Sequence, residues 1–471
     1  MNVLFASAEV YPLAKVGGLG DVAGSLPKAL RAVGHDVRLA MPRYQVIRET
    51  GEDVGPLPIT IGGSRHDARL RKTAIDGVPV YLIDHAPLFD RPKVYEYEDD
   101  GKRFAFFGKA ILDLLPVANW WPDVIHVNDW HSALAAAFLP TTYAGDARYR
   151  QIRSVLTIHN LQHQGVFGRD LFEWTGLPPE TWNPEGVEFY GHLNFLKAGI
   201  VYADRVNTVS PTYSKEIQTA EYGERLDGLL RSRAAKLSGI LNGIDYDVWN
   251  PAKDPLLAKK YTKTTIEEKA KNKAALQREV RLAVNPKAPL IGIVSRVTGQ
   301  KGFDILLPAL PEVLDLGVQV VLLGTGEKKY EEALAALASK IPSFVAALKY
   351  DEVLAHKIYA GADLFLMPSR FEPCGLGQII SLRYGTVPIV RATGGLADTV
   401  TDITANPRTG NGFAFEAYTA EAFLDAVRRA VSFFRQRKGW PSLQRRAMAT
   451  DLSWRASADS YADLYALARS S

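Results

Sequence analysis

Three short segments combine charged side chains with glycines, a combination suited to binding an anionic ligand. They are KVGGLGD (residues 15–21), SRVTGQKG (295–302) and SRFEPCGLGQ (369–378). Glycines let the backbone approach a ligand closely, and amides at a helix N-terminus favour an anion. Arg296 can grip phosphate oxygens in a fork while Lys301 acts as a mobile point charge. We therefore predict phosphate contacts at these loops; an ordinary pair of surface cations is the alternative for Arg296 and Lys301.

The third segment places a carboxylate just ahead of a glycine-bearing helix start. Glu372 can accept hydrogen bonds from sugar hydroxyls while the amides of residues 375–377 face phosphate. Alternatively, Glu372 is only a first-turn acid favoured by the helix dipole. Cys374 lies beside it, but no histidine is near in sequence, which favours a packed thiol over a nucleophile.

Two polar clusters, HVNDWH (126–131) and TIHNLQHQG (157–165), follow apparent strands. Such side chains can hydrogen-bond sugar hydroxyls or bear a proton. The alternative is structural: the histidines are satisfied core residues, and Asp129 caps a helix that starts near Ser132.

Three other kinds of ligand site fit the sequence poorly. Residues 18–23 match the dinucleotide-binding pattern GxGxxA, but a loop through Pro12 precedes them, and the second strand ends at Met41–Arg43 without the required acid. The Walker pattern GxxxxGKS/T is absent. No HExxH or cysteine ligand set accompanies the histidines, and Asp245–Asp247 (DYD) fits a turn. We predict neither a metal nor a cofactor.

These candidate residues follow short apolar, β-branched runs that are typical of buried parallel strands joined by crossover helices. The first series spans residues 3–6, 37–41, 78–83, 124–127, 155–158 and 206–209. The second spans 290–295, 318–323, 363–367, 387–390 and 412–415. A helix is expected from near Val22, directly after the first glycine loop.

The 471 residues exceed what one core usually organises, which indicates two domains. We predict an α/β fold with a first doubly wound domain at 1–245, a linker with a solvated helix at 246–289, and a second such domain at 290–453. A terminal helix at 454–471 either completes the second core or crosses back to the first. Two such domains facing one another would form a cleft outside the carboxyl ends of their strands.

Composition narrows the function classes. The chain has 56 basic and 52 acidic residues, a net charge of +4, without the basic block that nucleic acid binding requires. A single cysteine cannot form an internal disulfide, no apolar run approaches the span of a bilayer, and no targeting signal precedes the first strand. We expect a cytoplasmic enzyme without nucleic acid or membrane partners.

Taken together, the motifs resemble those of the bacterial glycogen synthase and plant starch synthase family. The matching segments are KVGGLGDV (15–22), HNL (159–161), LNGID (241–245), SR with QKG (295–302) and SRFEPCGL (369–376). They occur in the family's order along essentially the whole chain. The resemblance implies two Rossmann-like domains facing across a cleft, called GT-B, with the last helix returning to the first domain. It also implies metal-free, retaining transfer of glucose from ADP-glucose to the 4-hydroxyl of glycogen or another α-1,4-glucan.

The resemblance also assigns roles to individual residues. Arg296 and Lys301 would balance the leaving diphosphate, Glu372 would bind hydroxyls of the transferred glucose, and Asp129 matches a site aspartate. The implied donor contacts are Lys15, Gly17, Gly18, His159, Asn242, Tyr350 against adenine, Gly375, Leu376 and Gly377. The implied acceptor contacts are Asp21 and Tyr95.

One position departs from the pattern of many retaining transferases, which carry a second glutamate eight residues after the first. Ile380 occupies that position, so a double displacement through that residue is excluded. The alternative mechanism is front-face departure, in which the nucleotide leaves and the acceptor enters on the same side of the sugar. A GT-B transferase using UDP-glucose or another acceptor is the enzyme alternative. The alternative outside the enzymes is a noncatalytic module that binds glucan.

Overall fold

The structure, a computed structural model, describes residues 1–470. It divides into two compact units. The first is Met1–Gly243 together with the terminal helix Trp454–Arg469, and the second is Ile244–Ser453. The first unit has a nine-stranded main sheet and a small three-stranded sheet, and the second unit has one six-stranded sheet. Each unit has its own hydrophobic core.

The first unit contains twelve strands and nine helices before its terminal helix. The strands are β1 (Asn2–Ala6), β2 (Asp36–Pro42), β3 (Glu52–Ile61), β4 (Ser64–Ile75), β5 (Val78–Asp84), β6 (Val124–Asn128), β7 (Arg153–Ile158), β8 (Val166–Phe167), β9 (Glu188–Phe189), β10 (His192–Asn194), β11 (Arg205–Thr208) and β12 (Leu237–Gly239). The helices are α1 (Gly18–Ala32), α2 (Ala86–Phe89), α3 (Asp100–Ala118), α4 (Asp129–Thr141), α5 (Ala147–Arg150), α6 (Arg169–Thr175), α7 (Phe195–Tyr202), α8 (Pro211–Glu216) and α9 (Asp227–Ser232). Two 3-10 turns lie at Pro179–Thr181 and Ala234–Lys236.

The main sheet of the first unit has the order β12-β11-β7-β6-β1-β2-β5-β4-β3. Its strands are parallel from β12 to β5, which confirms the six predicted strands, and β4 and β3 add an antiparallel edge. Because β1 lies between β2 and β6, the sheet grows in both directions from it. The carboxyl end of β1 is therefore the switch point where ligands of such sheets bind.

The hairpin β3–β4 was not predicted, because a strand with one solvated face lacks the continuous apolar run of a core strand. Leu57, Ile59 and Ile61 alternate with exposed residues, and Gly62 and Gly63 make the turn with φ of 63° and 70°. The period of two and the Gly-Gly turn were the available signals.

The second unit contains six strands and eight helices. The strands are β13 (Leu290–Val294), β14 (Gln319–Leu323), β15 (Phe344–Ala347), β16 (Leu364–Met367), β17 (Val387–Arg391) and β18 (Phe413–Phe415). The helices are α10 (Lys269–Glu279), α11 (Phe303–Asp315), α12 (Lys328–Ala338), α13 (Glu352–Gly361), α14 (Gly377–Arg383), α15 (Gly394–Thr399), α16 (Ala420–Gln436) and α17 (Trp440–Ala449). Two 3-10 segments lie at Lys263–Glu268 and Gly299–Lys301.

The sheet of the second unit is parallel throughout, in the order β15-β14-β13-β16-β17-β18. The five predicted strands are present, and β15 is additional. Here β13 lies at the switch point, between β14 and β16. Arg296 follows β13 and Glu372 follows β16, and these two strands are adjacent in the sheet.

The prediction of a solvated linker helix is wrong, because α10 packs within the second unit. Lys269 and Lys273 are buried. The Lys269 ammonium donates to the carbonyls of Tyr359 (3.0 Å) and Ala360 (2.7 Å) and to Thr386 Oγ1 (2.6 Å). Lys273 Nζ lies 2.6 Å from Asp363 Oδ2. A charged stretch looks solvated in sequence, but these cations are satisfied internally, as buried charges must be.

The terminal helix α18 (Trp454–Arg469) packs against the first unit, one of the two positions that the sequence left open. Tyr465 Oη lies 2.8 Å from Nδ1 of the buried His126, whose Nε2 lies 2.7 Å from Thr157 Oγ1. These contacts connect α18 with β6 and β7. No helix within residues 1–470 is long and apolar enough to cross a membrane.

Candidate functional site

The glycine loop after β1 leads into α1, which begins at Gly18, four residues earlier than expected. Gly17 is the N-cap residue, with extended φ and ψ of −138° and −166°. Lys15 Nζ donates to Asp21 Oδ1 at 2.7 Å, in a partly exposed pair. The predicted donor residue Lys15 and the predicted acceptor residue Asp21 are therefore direct neighbours.

A carboxylate that sequence reasoning missed, Glu9, holds this loop. Glu9 is only 4% exposed. Its Oε2 accepts from the backbone amides of Val16 (2.5 Å) and Gly17 (2.7 Å), and its Oε1 accepts from the Tyr95 hydroxyl at 2.7 Å. The amide of Gly17, which we expected to be open to an anion, is thus already bound. An acid three residues after β1 was the signal in the sequence.

Asp129 and His159 follow the adjacent strands β6 and β7 and touch each other. Asp129 is the first residue of α4, in the left-handed region at φ 52°, and its Oδ1 accepts from the His159 amide at 2.7 Å. The helix-capping alternative for Asp129 is wrong, because Asn128 occupies the N-cap position and the carboxylate binds β7's loop instead. Burial raises the pKa of Asp129 to about 7.

His159 has a defined tautomer. Asn128 donates through Nδ2 to the Ala6 carbonyl at 3.1 Å, so its Oδ1, 2.9 Å from His159 Nε2, is the acceptor. Nε2 therefore carries the proton and Nδ1 keeps its lone pair. Burial lowers the pKa of His159 to about 3, so the ring is neutral at pH 7.

The remaining first-unit candidates line the same sheet edge. The Tyr95 ring stacks on His131 with centroids 4.6 Å apart, and His131 packs on Trp130. His131 and His126 are buried, which agrees with the alternative that these histidines are core residues. Asn242 follows β12, is 5% exposed, and its Oδ1 has no hydrogen-bond partner in the part of the chain that the structure describes.

In the second unit, Lys301 and Glu372 form one assembly at the switch point. Lys301 Nζ lies 2.9 Å from Oε1 and 2.6 Å from Oε2 of Glu372, and Ser369 Oγ donates to Oε2 at 3.0 Å. The two charged side chains are 15% and 6% exposed. The carboxylate of Glu372 is therefore bound by the Lys301 ammonium. If Glu372 served only the helix dipole, it would not need this cation.

Glycines pack the backbone tightly around this assembly. A Cβ on Gly302, whose φ is 80°, would lie 2.0 Å from the Pro368 carbonyl oxygen. A Cβ on Gly394 would lie 2.0 Å from the Glu372 carbonyl oxygen, and the Gly395 amide donates to that oxygen at 3.1 Å. Gly394 and Gly395, at the start of α15, belong to the site and were not singled out from sequence.

The other second-unit candidates are less enclosed. Arg296 is exposed, and its guanidinium donates to the neutral Gln300 Oε1 at 3.2 Å. Gly375 has φ 75°, Leu376 is the N-cap residue, and Gly377 begins α14. Tyr350 lies at the carboxyl end of β15, and 75% of it is exposed. Ile380 is buried in α14.

Other features lie apart from these clusters. A cavity of about 640 Å³ is lined by residues of α16, α17 and the segment before β18, none of which was predicted to bind a ligand. Cys374, the single cysteine of the sequence, is buried and forms no internal disulfide. Within residues 1–470, no group of three or more His, Cys, Asp or Glu side chains is placed to hold a metal ion.

Comparison with known proteins gives matches along the whole chain. The profile of the starch synthase catalytic domain matches residues 2–232, and that of glycosyl transferases group 1 matches residues 277–438. Glycogen synthase from Moorella thermoacetica is 50% identical over 470 residues, which cover 99% of this chain and 96% of that protein. Glycogen synthase from Geobacillus thermodenitrificans is 46% identical over 471 residues, covering 99% and 97%.

Solved structures agree with these matches. The catalytic domain of starch synthase IV from Arabidopsis thaliana, bound to ADP and acarbose, has a TM-score of 0.94 at 35% identity and covers 100% of this chain and 99% of that chain. Sucrose-phosphate synthase from Thermosynechococcus elongatus has a TM-score of 0.60 at 18% identity, covering 99% and 98%, which shows a shared fold alone.

Two parallel α/β units with charged loops at their switch points, together with these matches, define a glycosyltransferase of the GT-B type. Within that class, the chain belongs to the glycogen synthase family, since it is 50% identical to one member over nearly its full length.

Proposed function

We propose that this protein transfers glucose from ADP-glucose to the non-reducing 4-hydroxyl of an α-1,4-glucan such as glycogen. The reaction retains the anomeric configuration and needs neither metal nor cofactor. The buried Lys301–Glu372 pair, whose lysine shares the loop after β13 with the exposed Arg296, is the observation that supports this best. The bound ADP in the starch synthase IV structure supports the choice of an adenine nucleotide.

The second-unit residues act on the leaving group in this proposal. The contact of Arg296 is with a neutral amide, so its charge is not cancelled there and can face the diphosphate. Lys301 is held by Glu372 until a sugar hydroxyl donates to the carboxylate, which frees the ammonium to stabilise the departing phosphate. Preorganised charge of this kind is usually the largest contribution to catalysis.

The first-unit residues hold the transferred glucose and the acceptor. The His159 ring presents a lone pair at Nδ1 and can accept from a sugar hydroxyl. Asn242 Oδ1 is buried without a partner among residues 1–470, a state that costs about 1–3 kcal/mol and that a hydroxyl donor would relieve after a small rotation of the amide. Asp21 and Tyr95 contact the acceptor.

The reaction breaks the bond from glucose C1 to the diphosphate oxygen and forms a bond from C1 to the acceptor O4. The acceptor hydroxyl proton passes to the departing phosphate oxygen, and ADP leaves on the face where the acceptor enters. Ile380 offers no carboxylate for a covalent intermediate, which supports this front-face route. Positioning and charge stabilisation then account for the rate.

A donor competition assay tests this proposal. Purified protein is given ADP-glucose or UDP-glucose, with and without glycogen, and nucleoside diphosphate release is measured. ADP release that depends on glycogen, with an α-linked product by anomeric NMR, is the expected result. Preference for UDP-glucose would favour the related transferase. Glycogen binding without diphosphate release from either donor would favour a noncatalytic glucan-binding module.

A further inference from the structure

The buried carboxylate of Glu9 joins two parts of the first-unit cluster that are far apart in sequence. Its Oε2 binds the loop amides of Val16 and Gly17, and its Oε1 binds the hydroxyl of Tyr95, 86 residues away. All three contacts are 2.7 Å or shorter. One side chain thus contacts the predicted donor loop and a predicted acceptor residue.

The contact with the loop determines which amides remain for a ligand. Glu9 places a negative charge where the start of α1 would otherwise receive an anion. It binds the amides of Val16 and Gly17, whereas the next amide, that of Gly18, lies beyond these contacts. The packing is close: a Cβ on Gly20 would approach Oε2 to 3.3 Å. Glu9 therefore fixes the path of the loop that carries Lys15.

The contact with Tyr95 determines the direction of a hydroxyl proton. A carboxylate only accepts, so the Tyr95 hydroxyl must donate to Glu9. Its oxygen lone pairs are then left to accept from a ligand hydroxyl. The ring is fixed in addition by stacking on His131. Without the carboxylate, the proton of Tyr95 would be free to point elsewhere.

We propose that Glu9 is a positioning residue that couples donor binding to acceptor binding by fixing the Lys15–Gly18 loop and the polarity of Tyr95 together. This rests on the proposed function. Glu9 needs no contact with either substrate for this role.

Three variants separate the two contacts. Glu9→Ala removes both, and we expect KM to rise about tenfold for donor and for acceptor alike, the factor that a loss of ~1.4 kcal/mol gives. Glu9→Gln can keep one oxygen on the loop amides, but its NH₂ then faces Tyr95 and forces that hydroxyl to accept. Its acceptor KM should rise about tenfold while its donor KM changes less than about threefold. Tyr95→Phe should change the acceptor KM alone.

A double variant tests the coupling. In Glu9→Gln with Tyr95→Phe, the acceptor KM should be close to that of either single variant, because both act on one hydrogen bond. Asp204→Asn is the matched control. Asp204 Oδ2 accepts from the Ser154 amide at 2.7 Å at the amino end of β7, remote from His159. It should lower the melting temperature without changing either KM.

Two results would overturn the proposal. One is a Glu9→Ala protein that folds and has wild-type KM for both substrates. The other is a change in KM that follows the melting temperature equally in Glu9→Ala and Asp204→Asn, since a general structural role would do that. Binding of ADP alone, measured by calorimetry, keeps the loop contact testable if the wild type turns over neither donor. In that case the proposed function fails, whereas weaker ADP binding by Glu9→Ala than by wild type would still support the loop half.

Discussion

Replacing Lys301 by methionine should show how strongly the second-unit cluster depends on its buried ion pair. Methionine keeps the length and apolar stem of lysine and removes only the charge and its donors. In the folded protein, Glu372 would then keep Ser369 as its hydroxyl donor, at 3.0 Å, and lose the ammonium that contacts both of its oxygens. The side chain of Glu372 is 6% exposed, so water compensates only weakly for the lost cation.

The expected cost follows from that burial. Removing one partner of a buried ion pair destabilises a protein by about 3–5 kcal/mol, since the other charge stays buried and uncompensated. The Ser369 hydroxyl offsets only about 1 kcal/mol of this. A double variant, Lys301→Met with Glu372→Gln, removes both charges and should recover most of the lost stability. Both proteins should lose most of their turnover, because the cation that we propose for the leaving group is absent in each.

Hydrogen exchange measured by mass spectrometry is the suitable assay, because two units need not unfold as one transition. Peptides covering β13, β16 and α14 should exchange faster in the single variant and near the wild-type rate in the double variant. Lys329→Met is the matched control. Its partner Glu327 lies 2.9 Å away in an exposed pair, which solvent screens, so its loss should leave the exchange rates unchanged. A single variant as protected as wild type, or a double variant no better than the single, would refute this reasoning.

Three further predictions concern stability. Asp129→Asn should gain stability relative to wild type as the pH rises from about 4 to about 7 and should show no further gain above that range. Burial raises the pKa of Asp129 to about 7, so ionising it destabilises the wild type; urea denaturation at several pH values measures this. Lys269→Met should cost about 1–3 kcal/mol, because the buried Ala360 carbonyl and Thr386 Oγ1 lose a donor. Exposed Lys271→Met should leave stability nearly unchanged in the same urea measurement, because solvent screens its pair with Glu268. Tyr465→Phe should cost about 1–3 kcal/mol by leaving His126 Nδ1 unpaired, and a lower melting temperature with unchanged KM values would show this.

The sequence by itself was sufficient for eleven parallel strands of the two main sheets and for the loops that follow them. Buried parallel strands are apolar on both faces, so runs such as residues 124–127 stand out without any tertiary information. Glycine and charge patterns in residues 15–21 and 369–378 likewise located both candidate clusters, because anion-binding loops need those residue types close together in sequence.

Only the tertiary structure decided which partner each charged group has. Glu9 pairs with Tyr95 across 86 residues, Lys301 pairs with Glu372 across 71, and α10 buries lysines that look solvated in sequence. The physical reason is that hydrogen bonds and ion pairs act between atoms about 3 Å apart, whatever the separation of their residues along the chain. Local pattern therefore predicts which elements form, whereas burial and charge pairing depend on how those elements pack.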